Sequence, residues 1–259
     1  PKGFMISTFR LWLPEGGTPK NVLLLMRDSG DSIQDFEGFN KVWQNLAREQ
    51  NLAVVTCSFE EKKEGPSAAA VEEWSGKMFL DALKKLAAEA GKPELAEAPL
   101  LMAGSFGRGS QFVCNFTAWK PERVLAVSAN EGRFADKVNQ RPACQTPFLF
   151  TQEDKKPEHK KYVDKYLELM TAARRRNAPW CFAGNVRGGQ SEAAFLGANF
   201  FTAVLQQNAA DKKMTWLGNL RDKTITPADG DKFTGTKDTV WLPDEDFAHT
   251  WQLFVSGKE

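Results

Sequence analysis

Short apolar runs alternate with longer segments of helical periodicity along most of the chain. Seven runs predict strands, and all but the first are almost continuously apolar, as in strands buried on both faces of a parallel sheet. They are Phe4–Leu13, Asn21–Met26, Leu52–Cys57, Leu100–Ala103, Val124–Ser128, Phe148–Thr151 and Trp180–Ala183. Between them, apolar residues recur three or four positions apart, as in Phe36, Phe39, Trp43 and Leu46. The alternation predicts an α/β fold: a mostly parallel sheet with helices on both faces.

The pattern changes after residue 207. Residues 208–243 are polar and rich in turn-forming residues, with Met214–Leu220 as a predicted edge strand. A closing helix follows Pro243 and places Phe247, Trp251 and Phe254 on one face. We therefore expect a core domain over residues 1–207 and a C-terminal extension over 208–259 that packs on the same domain.

The charge of the chain is almost balanced. Lys and Arg number 34 and Asp and Glu number 33, a net charge of +1 in 259 residues, so no overall field favours nucleic acid. The basic segment Lys155–Arg176 is interleaved with acidic residues, which is typical of a solvated helix face. No apolar run is long enough to span a membrane. These features favour a small molecule as the binding partner. They argue against nucleic acid as a partner and against a membrane-spanning segment.

Cysteines and histidines give little support for a metal site. The four cysteines have no C-x-x-C spacing. They are compatible with two disulfides or with none, and isolated buried thiols are the favoured interpretation. His159 and His249 are the two histidines of the sequence. His159 lies in a charged segment and is expected to be exposed, whereas His249 lies in the closing helix. We expect neither a metal nor another cofactor.

The segment Leu100–Trp119 predicts a strand that enters a helix through a cluster of small residues, as in a nucleophile elbow. Two registers compete. With Ser105 as nucleophile, Arg108 would have to fit where a small residue normally packs on the sheet. With Gly107 at that position, Ser105, Gly109 and Ser110 are all small. Packing favours the second register, which has no nucleophilic side chain.

The sequence SFGRGSQF, followed by VCNFTAWKPERVLAVSANEG, resembles the elbow of the α/β-hydrolase superfamily. The segments WLP, TWLGNL and VWLPDEDFAHTWQLF extend this similarity to exported, planctomycete-type bacterial esterases. Counted back from Pro121, the serine of the family falls on Gly107. The resemblance implies an α/β-hydrolase fold and a periplasmic or secreted protein, although the chain shows no signal peptide.

Three other positions of the family can be compared with this sequence. The resemblance places the catalytic acid at Glu153 or Asp154, of which Asp154 is the better match. The loop that would carry the histidine, Gly184–Ser191, contains none and has Gly188-Gly189-Gln190 instead. The oxyanion loop has Asp28, whose negative charge would oppose an oxyanion. Together with Gly107, these differences imply a degenerate catalytic triad.

Two functions follow from this comparison. The first is a pseudo-hydrolase that binds a small ligand, such as a carboxylate, in the former active-site cleft. Its candidate ligand-binding residues are Arg27, Asp28, Ser29, Phe106, Gly107, Arg108, Arg187 and Gln190, with Asp154 beside them. The alternative is an active carboxylic-ester hydrolase that uses Ser105, Asp154 and His249, provided that the closing helix folds back over the sheet. An engineered inactive variant would explain Gly107 but not the missing histidine.

Overall fold

The fold was determined as a computed structural model. It describes residues 4–26, 37–61, 65, 67–132, 136–153, 159–185, 190–209, 215–228 and 238–257. Within these ranges the chain forms a large sheet of strands β1 to β7, a small sheet of strands β8 to β10, and helices α1 to α6.

The large sheet has the strand order β1-β3-β2-β4-β5-β6-β7. Its strands are β1 (Phe4–Trp12), β2 (Asn21–Met26), β3 (Leu52–Glu61), β4 (Leu100–Ser105), β5 (Val124–Gly132), β6 (Phe148–Glu153) and β7 (Trp180–Asn185). β1 pairs antiparallel to β3, and the other pairs are parallel. All seven predicted strands are therefore present in a mostly parallel sheet, as the apolar runs predicted.

Both faces of the large sheet are covered, because every side chain of the central strand β4 is buried. The helices are α1 (Glu37–Glu49), α2 (Gly76–Glu89), α3 (Phe106–Trp119), α4 (Lys160–Arg174), α5 (Gln190–Ala209) and α6 (Glu245–Ser256). Aromatic rings join α1 to α5 through Trp43 and Phe201, and join α2 to α3 through Phe79 and Phe112. The central strands are thus held in a closely packed apolar core.

The C-terminal extension forms the small sheet, in the order β10-β8-β9. Its strands are β8 (Trp216–Asn219), β9 (Ile225–Pro227) and β10 (Thr239–Leu242). The sequence predicted β8 but missed the two short strands beside it. The indole N–H of Trp251 in α6 donates to the Phe182 carbonyl of β7 at 2.9 Å, which ties the extension to the large sheet.

All four cysteines are buried and free, as expected for isolated thiols that pack as small apolar groups. None of the helices in the described ranges is long and apolar enough to cross a membrane.

Candidate active site

The turn between β4 and α3 lies at the carboxyl edge of the parallel strands, where open α/β sheets bind ligands. Gly107, the second residue of α3, has non-helical backbone angles of φ 31° and ψ −95° and forms a kink, whereas the residues that follow it are helical. A glycine adopts this conformation without the steric penalty that a Cβ imposes. The sharp turn therefore falls on Gly107, the position that the second register of the sequence assigned to the nucleophile.

Close packing of β4 against α3 depends on Gly104. A Cβ on Gly104 would lie 2.4 Å from the carbonyl oxygen of Gly109, so there is no room for a side chain at position 104 between the strand and the helix. The sequence called for small residues at Ser105 and Gly109, and the structure adds Gly104 as a further position of close approach.

Ser110 locks the first turn of α3 onto the sheet. Its hydroxyl is buried within hydrogen-bond distance of two strand carbonyls, 3.0 Å from Gly104 O and 2.6 Å from Asn130 O. A Cβ on Gly132 would lie only 2.0 Å from the Ser110 Cβ, and an isolated bridge joins Gly132 to Gly107. The end of β5 is therefore packed directly against the elbow.

Ser105, the nucleophile of the alternative hypothesis, is the last residue of β4 and has extended backbone angles of φ −119° and ψ 141°. Only 3% of the residue is exposed. It therefore lies buried at the end of the strand, two residues before Gly107.

Arg108 is half-exposed and forms an ion pair with Glu61 at 3.0 Å between Nη1 and Oε2. Glu61 ends β3, and its other carboxylate oxygen accepts from the backbone N–H of Ala68 at 2.6 Å. This charge-assisted pair connects the elbow to the end of β3. The Arg108 cation is thus already matched by a carboxylate of the same chain.

Tyr166 joins α4 to the elbow from the other side. Its buried hydroxyl donates to the Gly132 carbonyl at 3.1 Å and accepts from the Gly132 N–H at 3.2 Å. Burial, and then the nearby Cys114 and Glu131, raise the pKa of the Tyr166 phenol well above its usual range. The hydroxyl therefore stays protonated and keeps Gly132 in place beside Gly107.

Glu153 and His159 form a pair that the sequence did not predict. Glu153 ends β6, and His159 immediately precedes α4. The imidazole Nδ1 lies 3.3 Å from the Glu153 carbonyl oxygen and 3.8 Å from its carboxylate Oε2. The His159 side chain is 22% exposed, so the expectation of an exposed histidine is wrong. The available signal was a histidine six positions after a strand end, just where the next helix begins.

His249 lies on α6 with 59% of its side chain exposed. Its contacts in the described part of the chain include Glu245, at 4.0 Å, and the ring of Trp216, at 6.2 Å between centroids. Neither residue belongs to the large sheet or to the elbow. The structure thus shows no contact between His249 and the candidate active site among the described residues.

Several predicted site residues lie outside the described residues. These are Arg27, Asp28, Ser29, Asp154 and Arg187, together with the middle of the loop that was expected to carry a histidine. Phe106 and Gln190 begin α3 and α5, respectively, at the carboxyl edge of the sheet. Their roles in ligand binding stay predictions.

Other sites for a cofactor are not evident in the described ranges. Those residues contain no cluster of three or more His, Cys, Asp or Glu side chains that could hold a metal. A cavity of about 720 Å³ lined by described residues lies at the amino ends of β5, β6 and β7, next to Pro147, Pro179 and Trp241. That cavity is at the opposite edge of the sheet from the elbow.

Comparison with known proteins gives similarity in structure but not in sequence. No protein-family model matches the sequence, and no curated protein matches it significantly. Esterase PE8 superposes with a TM-score of 0.55 at 17% identity, over 77% of this chain and 98% of that one. The IroE-like serine hydrolase from Shewanella oneidensis gives 0.51 at 12% identity, over 74% and 72%. An esterase from Pyrobaculum calidifontis gives 0.51 at 14%, over 79% and 82%.

These identities are too low to carry an activity from one protein to another, but the superpositions show a shared fold. The chain therefore has the α/β-hydrolase fold found in esterases and serine hydrolases.

Proposed function

We propose that this chain is a non-hydrolytic protein of α/β-hydrolase fold that binds a small molecule at the carboxyl edge of its large sheet. The observation that carries the proposal is Gly107, which has φ 31° and ψ −95° at the turn between β4 and α3. In esterases of this fold the nucleophilic serine occupies that turn. A glycine there provides no hydroxyl that could form an acyl-enzyme.

The neighbouring serines do not replace it. Ser105 is buried within β4, and the Ser110 hydroxyl lies within hydrogen-bond distance of two carbonyls that hold α3 on the sheet. A serine hydroxyl is a weak nucleophile unless a base takes its proton and the substrate can reach it. Neither serine meets the second condition, so ester hydrolysis through either one is not expected.

The ligand class that we propose is a small organic molecule, as the small-molecule substrates of esterase folds suggest. An anionic ligand such as a carboxylate was predicted from Arg27, Arg108 and Arg187. Because Arg108 is already paired with Glu61, that part of the prediction rests on Arg27 and Arg187. A carboxylate ligand would form charge-assisted hydrogen bonds with both guanidinium groups only if both of them lie close to the elbow.

The experiment is active-site labelling combined with a turnover assay. We expect the natural chain to show no labelling by a fluorophosphonate probe and no hydrolysis of p-nitrophenyl acetate above the buffer rate. Ser105→Ala is the matched control and should behave identically. Labelling or turnover that is lost in Ser105→Ala would establish the active-esterase alternative instead.

Binding is tested separately by thermal shift and calorimetry with short-chain carboxylates and their methyl esters. We expect at least one compound to stabilise the chain and to lose affinity when Gly107 is replaced by the bulky Trp. A Lys85→Ala variant, on the exposed face of α2, should bind as the natural chain does. Unchanged affinity in Gly107→Trp would show that the ligand binds elsewhere.

A further inference from the structure

The Glu153–His159 pair is held in a defined geometry at the carboxyl edge. Both side chains are largely buried, with 15% of Glu153 and 22% of His159 exposed. The imidazole Nδ1 faces the Glu153 main-chain carbonyl at 3.3 Å and its carboxylate at 3.8 Å. The ring also packs edge-on against Tyr162, at 6.3 Å between centroids. Two acceptors and one aromatic contact therefore orient a single ring.

These contacts favour one tautomer of the neutral imidazole. A carbonyl oxygen can only accept a hydrogen bond, so a hydrogen bond to Glu153 O requires Nδ1 as the donor. In that tautomer Nε2 has a lone pair and can take a proton from a reacting group. The Glu153 carboxylate, 3.8 Å from Nδ1, lies on the Nδ1 side of the ring.

The strand register places this pair close to the elbow. Gly107 forms a bridge with Gly132 at the end of β5, and Asn130, two residues earlier, pairs with Thr151 in β6. Both strands run two residues beyond that pair, to Gly132 and Glu153, so both end at the carboxyl edge of the sheet. Helix α4 begins directly after His159, and its Tyr166 hydroxyl contacts Gly132. The His159 ring therefore precedes by two helical turns the residue that holds the partner of Gly107.

We propose that His159 is a general base of this site and that Glu153 is its positioning residue. The chain thus has an acid–base pair but no nucleophile beside it. This inference rests on the proposed function in one respect, because it takes Gly107 as the nucleophile position. It differs from the sequence-based expectation, in which the base belongs to the loop at Gly184–Ser191 or is His249.

A serine introduced at position 107 tests the base directly. In Gly107→Ser, the new hydroxyl oxygen would attack the phosphorus of a fluorophosphonate probe. The P–O bond forms, the P–F bond breaks, fluoride leaves, and the hydroxyl proton passes to His159 Nε2. We expect covalent labelling in Gly107→Ser and a loss of at least about 100-fold in its rate in Gly107→Ser/His159→Gln.

The matched control is Gly107→Ser/His249→Gln, which removes the other histidine of the sequence and should be labelled as fast as Gly107→Ser. Equal labelling with and without His159 would overturn the inference, as would a folded Gly107→Ser that is not labelled. Neither result affects the proposed function, which fails only if the natural chain itself is labelled or hydrolyses the ester.

Two further variants separate a chemical role from a structural one. In Gly107→Ser/His159→Gly, added imidazole should restore labelling, because the small base can occupy the space left by the side chain. A ring that only packs against Tyr162 would not be replaced in this way, so no rescue argues against a base. Gly107→Ser/Glu153→Gln should be slowed, with partial recovery in Gly107→Ser/Glu153→Asp.

A measurement on the natural chain covers the case in which Gly107→Ser does not fold. Long-range ¹H–¹⁵N spectra report the tautomer of each histidine ring, and His249→Gln assigns the two. We expect His159 to carry its proton on Nδ1 in the neutral form. A proton on Nε2 would show that this nitrogen is no base, and the inference would be wrong.

Discussion

A size swap between Gly132 and Ser110 tests the packing that holds the elbow. Gly132→Ala would put a methyl group 2.0 Å from the Ser110 Cβ, far inside van der Waals contact. Overpacking of this kind costs about 1–3 kcal/mol. Displacing Ser110 would also weaken the one hydrogen bond that its hydroxyl proton donates, shared between Gly104 O and Asn130 O, at about 1 kcal/mol. We expect Gly132→Ala to lower the free energy of unfolding by about 2–4 kcal/mol.

The partner substitution makes the prediction specific. Ser110→Gly alone loses the hydrogen bond of the hydroxyl and adds a helical glycine, at a cost of about 1.5–2 kcal/mol. Combined with Gly132→Ala it also removes the Cβ that causes the clash. The double variant should therefore cost about 2 kcal/mol, well below the sum of the single variants.

Urea unfolding of the four proteins, with the slope m unchanged, measures this coupling. Gly91→Ala is a control, because Gly91 has φ 68° and open space around its Cβ position. It should cost about 1–2 kcal/mol from its backbone conformation alone, and Ser110→Gly should not reduce that cost. If Gly132→Ala and Ser110→Gly are additive, the contact between the two residues is not what excludes a side chain at position 132.

Three other predictions concern buried groups. Tyr166→Phe should lower the free energy of unfolding by about 1–3 kcal/mol, because the buried Gly132 N–H and carbonyl lose their partner. Since burial raises the pKa of Tyr166, its contribution is complete below the unfolded value of about 10 and is lost as the pH rises above it, which pH-dependent urea unfolding of both proteins would reveal. A thiol reagent such as DTNB should react with no cysteine of the native chain and with all four in guanidinium, because burial raises the pKa of Cys57, Cys114 and Cys181. Trp251→Phe should cost about 1–2 kcal/mol in urea unfolding by removing the bond to the Phe182 carbonyl, whereas Leu253→Ala, on the exposed side of α6, should cost little.

The centre of each strand could be predicted from the sequence, but the carboxyl ends of β3 to β7 could not. Apolar runs mark the part of a strand that helices cover on both faces. Thr151 ended the predicted sixth strand, whereas β6 continues to Glu153. Gln152 and Glu153 still pair with β7, but they are polar, so an apolar run does not mark them. Because the candidate active site lies at those ends, the sequence pattern was least informative where the function is expected.

The elbow and the histidine pair illustrate the same limit at the level of single residues. The turn at Gly107 could be predicted, because small residues at fixed spacing are a local signal. The close approach of Gly104 to Gly109 could not be predicted, since it depends on how the helix leaves the strand. The contact between Glu153 and His159 depends on where α4 begins, and hydrophobic periodicity does not determine a helix start in a charged segment.

The packing of the elbow explains how this turn could exist without a nucleophile. A serine at the Gly107 conformation would be strained by about 1–3 kcal/mol, and glycine removes that strain. The close contacts of Gly104 with Gly109, and of Ser110 with Gly132, do not involve the side chain at position 107. The fold therefore keeps its elbow for reasons of packing, whatever residue stands at the apex. The small residues around the turn identify the architecture, whereas the chemistry depends on the apex residue and on the base that faces it.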